Sequence, residues 1–114
     1  MNKSTKKLQF SAKTKKRIQE RDRDQCIFCA RSYHMKCKDP IQYAIREHMH
    51  YINKSAGGLG IEQNGALGCR YHHGLLDNGN KGLRQEMLAI FREHLQSHYP
   101  EWDEKKLVYH KYDF

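Results

Sequence analysis

The sequence has no apolar run approaching the roughly 20 residues that a bilayer-spanning helix needs, so we expect neither a transmembrane helix nor a membrane partner. Proline occurs only twice, and the counts of glycine and proline do not indicate low complexity. The N-terminus is positively charged, but no apolar segment follows the charges as it would in a secretory signal peptide. These absences predict a cytoplasmic protein.

The chain is short and its apolar content is low. With 114 residues, 38% hydrophobic and 30% charged, it has room for one domain with a lean core, which bound metal would help to stabilise. Four cysteines are present, and in the reducing cytosol they are better read as thiolate metal ligands than as two disulfides. In a secreted protein the same count would favour disulfides.

Positive charge is concentrated at one end of the chain. The formal net charge is +8, and the first 23 residues contain nine lysine or arginine residues against two acidic ones. Such an arm can follow a nucleic-acid backbone by releasing condensed counterions, or it can be a solubilising tail. Charge alone does not separate these interpretations.

The pattern of apolar and turn-forming residues predicts an α+β protein. Ser11 can cap a first helix that runs to about Asp22. The elements predicted after it are a turn at Asp39-Pro40, a strand over Ile41–Ile52, a loop over 53–65, a short strand over Ala66–Cys69, a helix over Arg70–Asn78 stopped by Gly79, and a helix over Lys81–His98. The apolar stripe of this last helix is either core or the surface of a homodimer, and core is favoured.

Two pairs of residues have the spacing of zinc ligands. Cys26 and Cys29 are separated by two residues, and Cys69 and His72 lie three apart at the start of a predicted helix. The sequence therefore predicts a structural Cys3His zinc site. The alternative is that the first two cysteines are small buried apolar residues. Cys37 is left over as a free thiol or a replacement ligand.

A second site is predicted on the same helix. His72 and His73 point about 100° apart, so one can bind zinc while the other faces away. Asp77 lies four residues after His73, on its face, where both could hold Mg²⁺ or Mn²⁺ together with waters. A pair of this kind is more often a surface contact, but its position close to Cys69 and His50 favours a metal site.

His50 and Asn64 complete the candidate site. A histidine with an ordinary pKa of about 6.5 can remove a proton from water near neutral pH, so His50 is the candidate general base, against the alternative of a buried structural histidine. The Asn64 amide could fix the loop, orient His50 or bind metal through its oxygen. Orientation of His50 is favoured.

These residues together resemble the HNH endonuclease family, whose members build a ββα-metal fold. The resemblance covers residues 26–79, nearly half the chain, and includes a His–Asn–His order around a glycine-rich loop. The matching positions are His50, Ser55-Ala56-Gly57-Gly58, Asn64, Cys69, His72 in place of a second Cys, His73, and Asp77 in place of a last His. The implied domain has a basic arm and helix over 1–25, a ββα-metal core with a zinc knuckle over 26–80, and a C-terminal helix and tail over 81–114.

The resemblance implies a metal-dependent DNA endonuclease of the compact phage or bacterial type. His50, Asn64 and His73 would be catalytic, with Mg²⁺ or Mn²⁺ at His73 and Asp77. Contacts to the DNA backbone are expected from Lys13, Lys15, Lys16, Arg17, Lys54 and Arg70. A monomer would nick one strand, whereas a homodimer could cut both. The alternative is a zinc-stapled nucleic-acid-binding protein without catalysis.

One position departs from the family pattern. Met49 stands where a ligand of the catalytic metal is expected, and a thioether is a poor ligand for Mg²⁺. The metal could rely on His73, Asp77, waters and the scissile phosphate, which is the favoured solution. Alternatively His48 could substitute, because strand alternation places it on the face of His50, or cleavage could be slow or lost.

Overall fold

A computed structural model describes residues 7–78 and 82–109 of the chain. The helices and strands bounded within this part are α1 (Ala12–Arg21), α2 (Pro40–Ala44), β1 (Arg46–His50), β2 (Gly65–Cys69), α3 (Arg70–Asn78) and α4 (Arg84–His98). The α+β class is confirmed. The predicted stop at Gly79 and start at Lys81 lie outside the described residues.

The sheet consists of β1 and β2 in antiparallel register, with Arg46 opposite Cys69 and His50 opposite Gly65. Every residue of β2 is buried, and α3 begins directly after it. The order β1, β2, α3 therefore brings the end of β1, the loop that connects β1 to β2 and the start of α3 into one region of the molecule.

The predicted strand over Ile41–Ile52 is too long at both ends. Pro40 occupies the first turn of α2, and the Asp39 carboxylate accepts a hydrogen bond from the backbone N–H of Ile41 at 3.0 Å. A capping aspartate followed by proline is a strong helix start, and it outweighs the β preference of Tyr43 and its neighbours. Only the five residues of β1 pair with β2.

The apolar stripe of α4 is core, as favoured from the sequence. Met87, Phe91 and Leu95 are fully buried and pack in one cluster with Met49 from β1 and Leu76 from α3. A side chain at Gly68 would collide with the sulfur of Met49, so the absent side chain makes room for the thioether. Met49 is thus a core residue.

Asp22, at the end of α1, links three elements. Its carboxylate accepts hydrogen bonds from the Arg21 guanidinium at 2.7 and 3.0 Å, from the Leu67 N–H at 2.9 Å and from His94 Nε2 at 2.7 Å. Burial raises the pKa of Asp22, but the bonds from His94 and Arg21 outweigh it and lower the pKa to about 2. The ionised carboxylate therefore stabilises the packing of α1 against β2 and α4.

Replacing Asp22 with asparagine is expected to lower the free energy of unfolding at pH 7 by about 2 kcal/mol. Because the folded pKa is lowered, the carboxylate contributes its full stabilisation above the ordinary value of 3.8 and loses it as the pH falls toward about 2. Urea unfolding measures the difference. Asp24→Asn is the control, since its ion pair with Arg46 is exposed and should contribute less than about 1 kcal/mol. Equal effects of the two changes would contradict this role of Asp22.

Candidate metal centre and adjacent cleft

Two short turns present the cysteine and histidine side chains in the same way. In the first turn the backbone N–H of Cys29 points to the Sγ of Cys26 at 3.4 Å, and in the second the N–H of His72 points to the Sγ of Cys69 at 3.4 Å. The N–H of Ile27 bonds to the β2 carbonyl of Leu67 at 3.0 Å. This bond holds the first turn against the strand that ends in the second.

The four predicted zinc ligands form one cluster. His72 Nδ1 lies 3.7, 3.6 and 3.2 Å from the Sγ atoms of Cys26, Cys29 and Cys69, and the last two sulfurs are 3.8 Å apart. In a zinc tetrahedron with Zn–S of about 2.3 Å and Zn–N of about 2.0 Å, ligand atoms lie about 3.5–3.8 Å apart. The cluster can therefore hold a metal ion such as Zn²⁺.

The ring of His72 is oriented by a residue that the sequence did not indicate. Its Nε2 lies 2.6 Å from the backbone carbonyl of Tyr33, which can only accept, so Nε2 carries the proton. The Nδ1 lone pair is then left for the cluster. A hydrogen-bonded partner of this kind is usual for a metal-binding histidine.

The protonation of the three thiols depends on their contacts with one another. A hydrogen bond with Cys69 lowers the pKa of Cys26 to about 4, whereas burial and the neighbouring charge of Cys26 raise the pKa of Cys29 to about 11. The hydrogen bond with Cys26 and burial raise the pKa of Cys69 too. Burial and the neighbouring charge thus oppose ionisation of Cys29 and Cys69, and a bound metal ion would favour it. Cys37 stands apart, with its Sγ 3.7 Å from the carbonyl of Asp39.

A separate cleft of about 580 Å³ is lined by His73, the residue that follows His72 in α3. It brings together five residues predicted for the second site and for DNA contacts: His50, His73, Asp77, Lys15 and Lys54. The side chains of the two adjacent histidines of α3 therefore lie in different sites: His72 is buried in the cluster, and His73 lines the cleft.

His50 is held on two sides. Its Nε2 lies 2.8 Å from the carbonyl of Leu8, and its ring stacks on Phe10 with centroids 4.1 Å apart and planes at 29°. Burial lowers the pKa of His50, and the charge of Lys54 acts in the same direction. The ring is thus neutral near pH 7, with its proton on Nε2 and a lone pair on Nδ1.

His73 lies between two carboxylates. Its Nδ1 is 2.9 Å from Glu47 and its Nε2 is 3.2 Å from Asp77. Glu47 was not among the predicted site residues, although strand alternation places it on the same face of β1 as Met49, where a metal ligand was expected. Glu47 also lies 3.6 Å from Arg70, so this carboxylate contacts both Arg70 and His73.

His73 and Asp77 are in contact, but within the described residues they belong to no group of three or more donors that could share one ion. Among residues 7–78 and 82–109, the His, Cys and carboxylate side chains that gather in threes or more are the Cys3His cluster and the set of Asp22, His94 and His98. In the second set the carboxylate is already held by Arg21. His48, the alternative to Met49, lines the cleft and has its Nε2 3.1 Å from the carbonyl of Lys15.

The hydrogen bonds of the Asn64 amide go to the loop and not to His50, the partner favoured from the sequence. Its Oδ1 accepts from the N–H of Ile52 at 2.8 Å, and its Nδ2 donates to the carbonyls of Ile52 at 3.1 Å and Leu59 at 2.8 Å. The amide thus uses both donor hydrogens to close the loop after β1. Of the alternatives, loop fixing is the one that the contacts fit. Asn64 acts on His50 only indirectly, through the backbone of Ile52, two residues after His50.

Replacing Asn64 with alanine is expected to lower the free energy of unfolding by about 2–4 kcal/mol, because three backbone groups of the half-buried Ile52 and Leu59 would lose their partner. Asn53→Ala is the matched control in the same loop, since the Asn53 side chain makes no capping bond to the turn over Lys54–Ala56. Urea unfolding of both variants measures the difference. A neutral Asn64→Ala would contradict the loop-fixing role.

The basic residues predicted to contact DNA are all exposed. Lys13, Lys16 and Arg17 lie on α1, whose residue Lys15 reaches the cleft, and Lys54 reaches the cleft from the loop after β1. Arg70 is engaged with Glu47, and Arg17 lies 3.7 Å from Glu62.

Comparisons with protein-family models, with characterised proteins and with solved structures found no match for this chain. Within the described residues, no helix has both the length and the apolar content to cross a membrane.

Proposed function

We propose that the chain is a metal-dependent DNA endonuclease of the HNH type, which hydrolyses phosphodiester bonds at the cleft. The observation that carries this proposal is the placement of a neutral, oriented His50 at the end of β1 in the same cleft as His73 on α3. The β1–loop–β2–α3 order and the presence of a Cys3His cluster support the same family.

In this proposal His50 is the general base. Its Nδ1 lone pair accepts a proton from a water that attacks phosphorus, while the Leu8 carbonyl stabilises the resulting imidazolium through Nε2. Lys15 and Lys54 line the same cleft and offset the charge of the DNA backbone.

The divalent cation belongs to the proposal as well. His73, Asp77 and Glu47 supply the nitrogen and oxygen donors that would hold Mg²⁺ or Mn²⁺, which would offset the charge that develops on the phosphate. Both ring nitrogens of His73 are engaged by carboxylates, so binding would require at least one of these contacts to open.

The second candidate function is a zinc-stapled module that binds nucleic acid without cutting it. The observation in its favour is that carboxylates already engage both ring nitrogens of His73. In addition, Met49 is buried where a ligand was expected. The basic residues of α1 would contact the nucleic-acid backbone in both cases.

Supercoiled plasmid separates the two functions. We expect the native chain to convert it to nicked circles with Mg²⁺ or Mn²⁺ and to leave it intact when the cation is omitted, with binding measured in parallel by gel shift. Nicked circles that precede linear DNA indicate a monomer cutting one strand, whereas direct linearisation indicates a homodimer. Binding without any cutting under all conditions would refute the nuclease and support the binding module.

A further inference from the structure

The segment 7–10 lies against the cleft, although the sequence pattern suggested only a basic arm there. We propose that this segment is a wall of the active site and that Phe10 is a positioning residue for His50. The inference rests on the proposed function, because it concerns the orientation of the proposed general base.

The segment is fastened to the loop between β1 and β2. The N–H of Gly60 donates to the carbonyl of Lys7 at 2.9 Å, and a side chain at Gly60 would collide with the carbonyl of Gln9. Glycine at this position therefore permits the two backbones to lie against each other. The bond from His50 Nε2 to the Leu8 carbonyl adds another attachment, at the residue between Lys7 and Gln9.

Phe10 covers the cross-strand pair that contains His50. Its ring stacks on the imidazole, and a side chain at Gly65, the partner of His50 in the sheet, would lie 2.6 Å from the Phe10 ring. Ile18 of α1 approaches Gly65 from the same side. The missing side chain of Gly65 thus makes the space in which Phe10 packs flat against His50.

These contacts fix two properties of the imidazole. The Leu8 carbonyl selects the tautomer with the proton on Nε2, and the Phe10 face holds the ring plane so that this bond persists. Without the aromatic face the ring can rotate and both tautomers become populated. A misplacement of about 1 Å at a reacting group can cost on the order of 100-fold in rate, so a looser His50 should slow the chemical step.

The test compares Phe10→Leu, which keeps apolar volume but removes the aromatic face, with Phe10→Tyr, which keeps both. We expect Phe10→Leu to lower the kcat for plasmid nicking by about tenfold or more with KM changed less than about twofold. Phe10→Tyr should stay within about threefold of the native rate. Thermal unfolding of each variant verifies that it is folded under the assay conditions.

A second measurement does not depend on nuclease activity. Nitrogen-15 NMR of the histidines, with the His50 signals assigned from a His50→Gln sample, reports which ring nitrogen carries the proton. We expect the Nε2–H form in the native chain and in Phe10→Tyr, and a mixture in folded Phe10→Leu.

Native tautomer and native kcat in Phe10→Leu would overturn the inference and leave Phe10 as a packing residue only. If the native chain cuts no plasmid, the proposed function fails, and the NMR comparison alone then decides the positioning role. An unchanged tautomer in Phe10→Leu would refute that role in this case too.

Discussion

Replacing Cys69 with alanine is expected to unfold the protein at 25 °C. Cys69 is fully buried, ends β2, begins the turn into α3 and lies within 3.2–3.8 Å of His72 Nδ1 and Cys29 Sγ. Zinc binding to structural sites contributes about 10–16 kcal/mol, whereas a whole domain is stable by about 5–15 kcal/mol. A chain of this size with a lean core cannot replace that contribution from apolar packing.

Cys37→Ala is the matched control, because Cys37 is half-buried and its thiol only reaches the carbonyl of Asp39. We expect this variant to bind one zinc ion and to melt within a few degrees of the native chain. Metal analysis gives the zinc content, and circular dichroism gives the folded fraction. Adding a chelator to the native chain should reproduce the loss caused by Cys69→Ala, and zinc should reverse it. A folded, zinc-free Cys69→Ala protein would refute the structural role of the metal.

The composition of the Cys3His cluster could be predicted because each half consists of residues close together in the chain. Cys26 with Cys29, and Cys69 with His72, are each defined by spacing along the chain, and thiolate and imidazole are the donors that zinc prefers. The partner of His72 could not be predicted, since the carbonyl of Tyr33 is a backbone group that every residue type carries. Which carbonyl reaches His72 depends on how the chain folds after the turn that contains Cys26 and Cys29.

The strand before the cleft shows how local signals compete. Ile41, Tyr43 and Ile45 favour extended structure, yet the Asp39 cap and Pro40 start a helix, and the strand begins only at Arg46. The predicted second strand and α3 differ little from the observed elements, because Gly65–Cys69 and Arg70–Asn78 contain no comparable conflict.

The contacts inside the cleft could not be predicted, because they join residues far apart in the chain. Glu47 meets His73 across 26 residues, and Leu8 meets His50 across 42. Periodicity identifies which face a residue occupies but does not identify its neighbour on another element. Asn64 illustrates the same limit: its importance could be inferred from its place in the pattern, whereas its partners, Ile52 and Leu59, follow from the path of the loop.

His50→Ala is expected to lower the rate of plasmid nicking by about 1000-fold, within the range of about 100- to 10,000-fold that general acid–base catalysis contributes. In the proposed mechanism the base acts in its neutral form. Because burial lowers its pKa, the native rate should fall only as the pH drops below the ordinary histidine value of 6.5. In the variant this acid limb should disappear.

The matched control is His48→Ala. His48 lies on the same face of β1 and lines the same cleft, and its Nε2 likewise approaches a backbone carbonyl, that of Lys15 at 3.1 Å. Its ring is only tilted toward Phe10, with centroids 6.2 Å apart, whereas the ring of His50 is stacked. Both substitutions remove one exposed or half-buried imidazole from a two-stranded sheet, so their effects on DNA binding should be similar and small. We therefore expect His48→Ala to cut within about threefold of the native rate.

Two other outcomes would change the assignment of roles. If His48→Ala loses as much activity as His50→Ala and a higher Mg²⁺ concentration restores it, His48 takes the ligand position that Met49 does not fill. If both variants cut at native-like rates, His50 is not the general base.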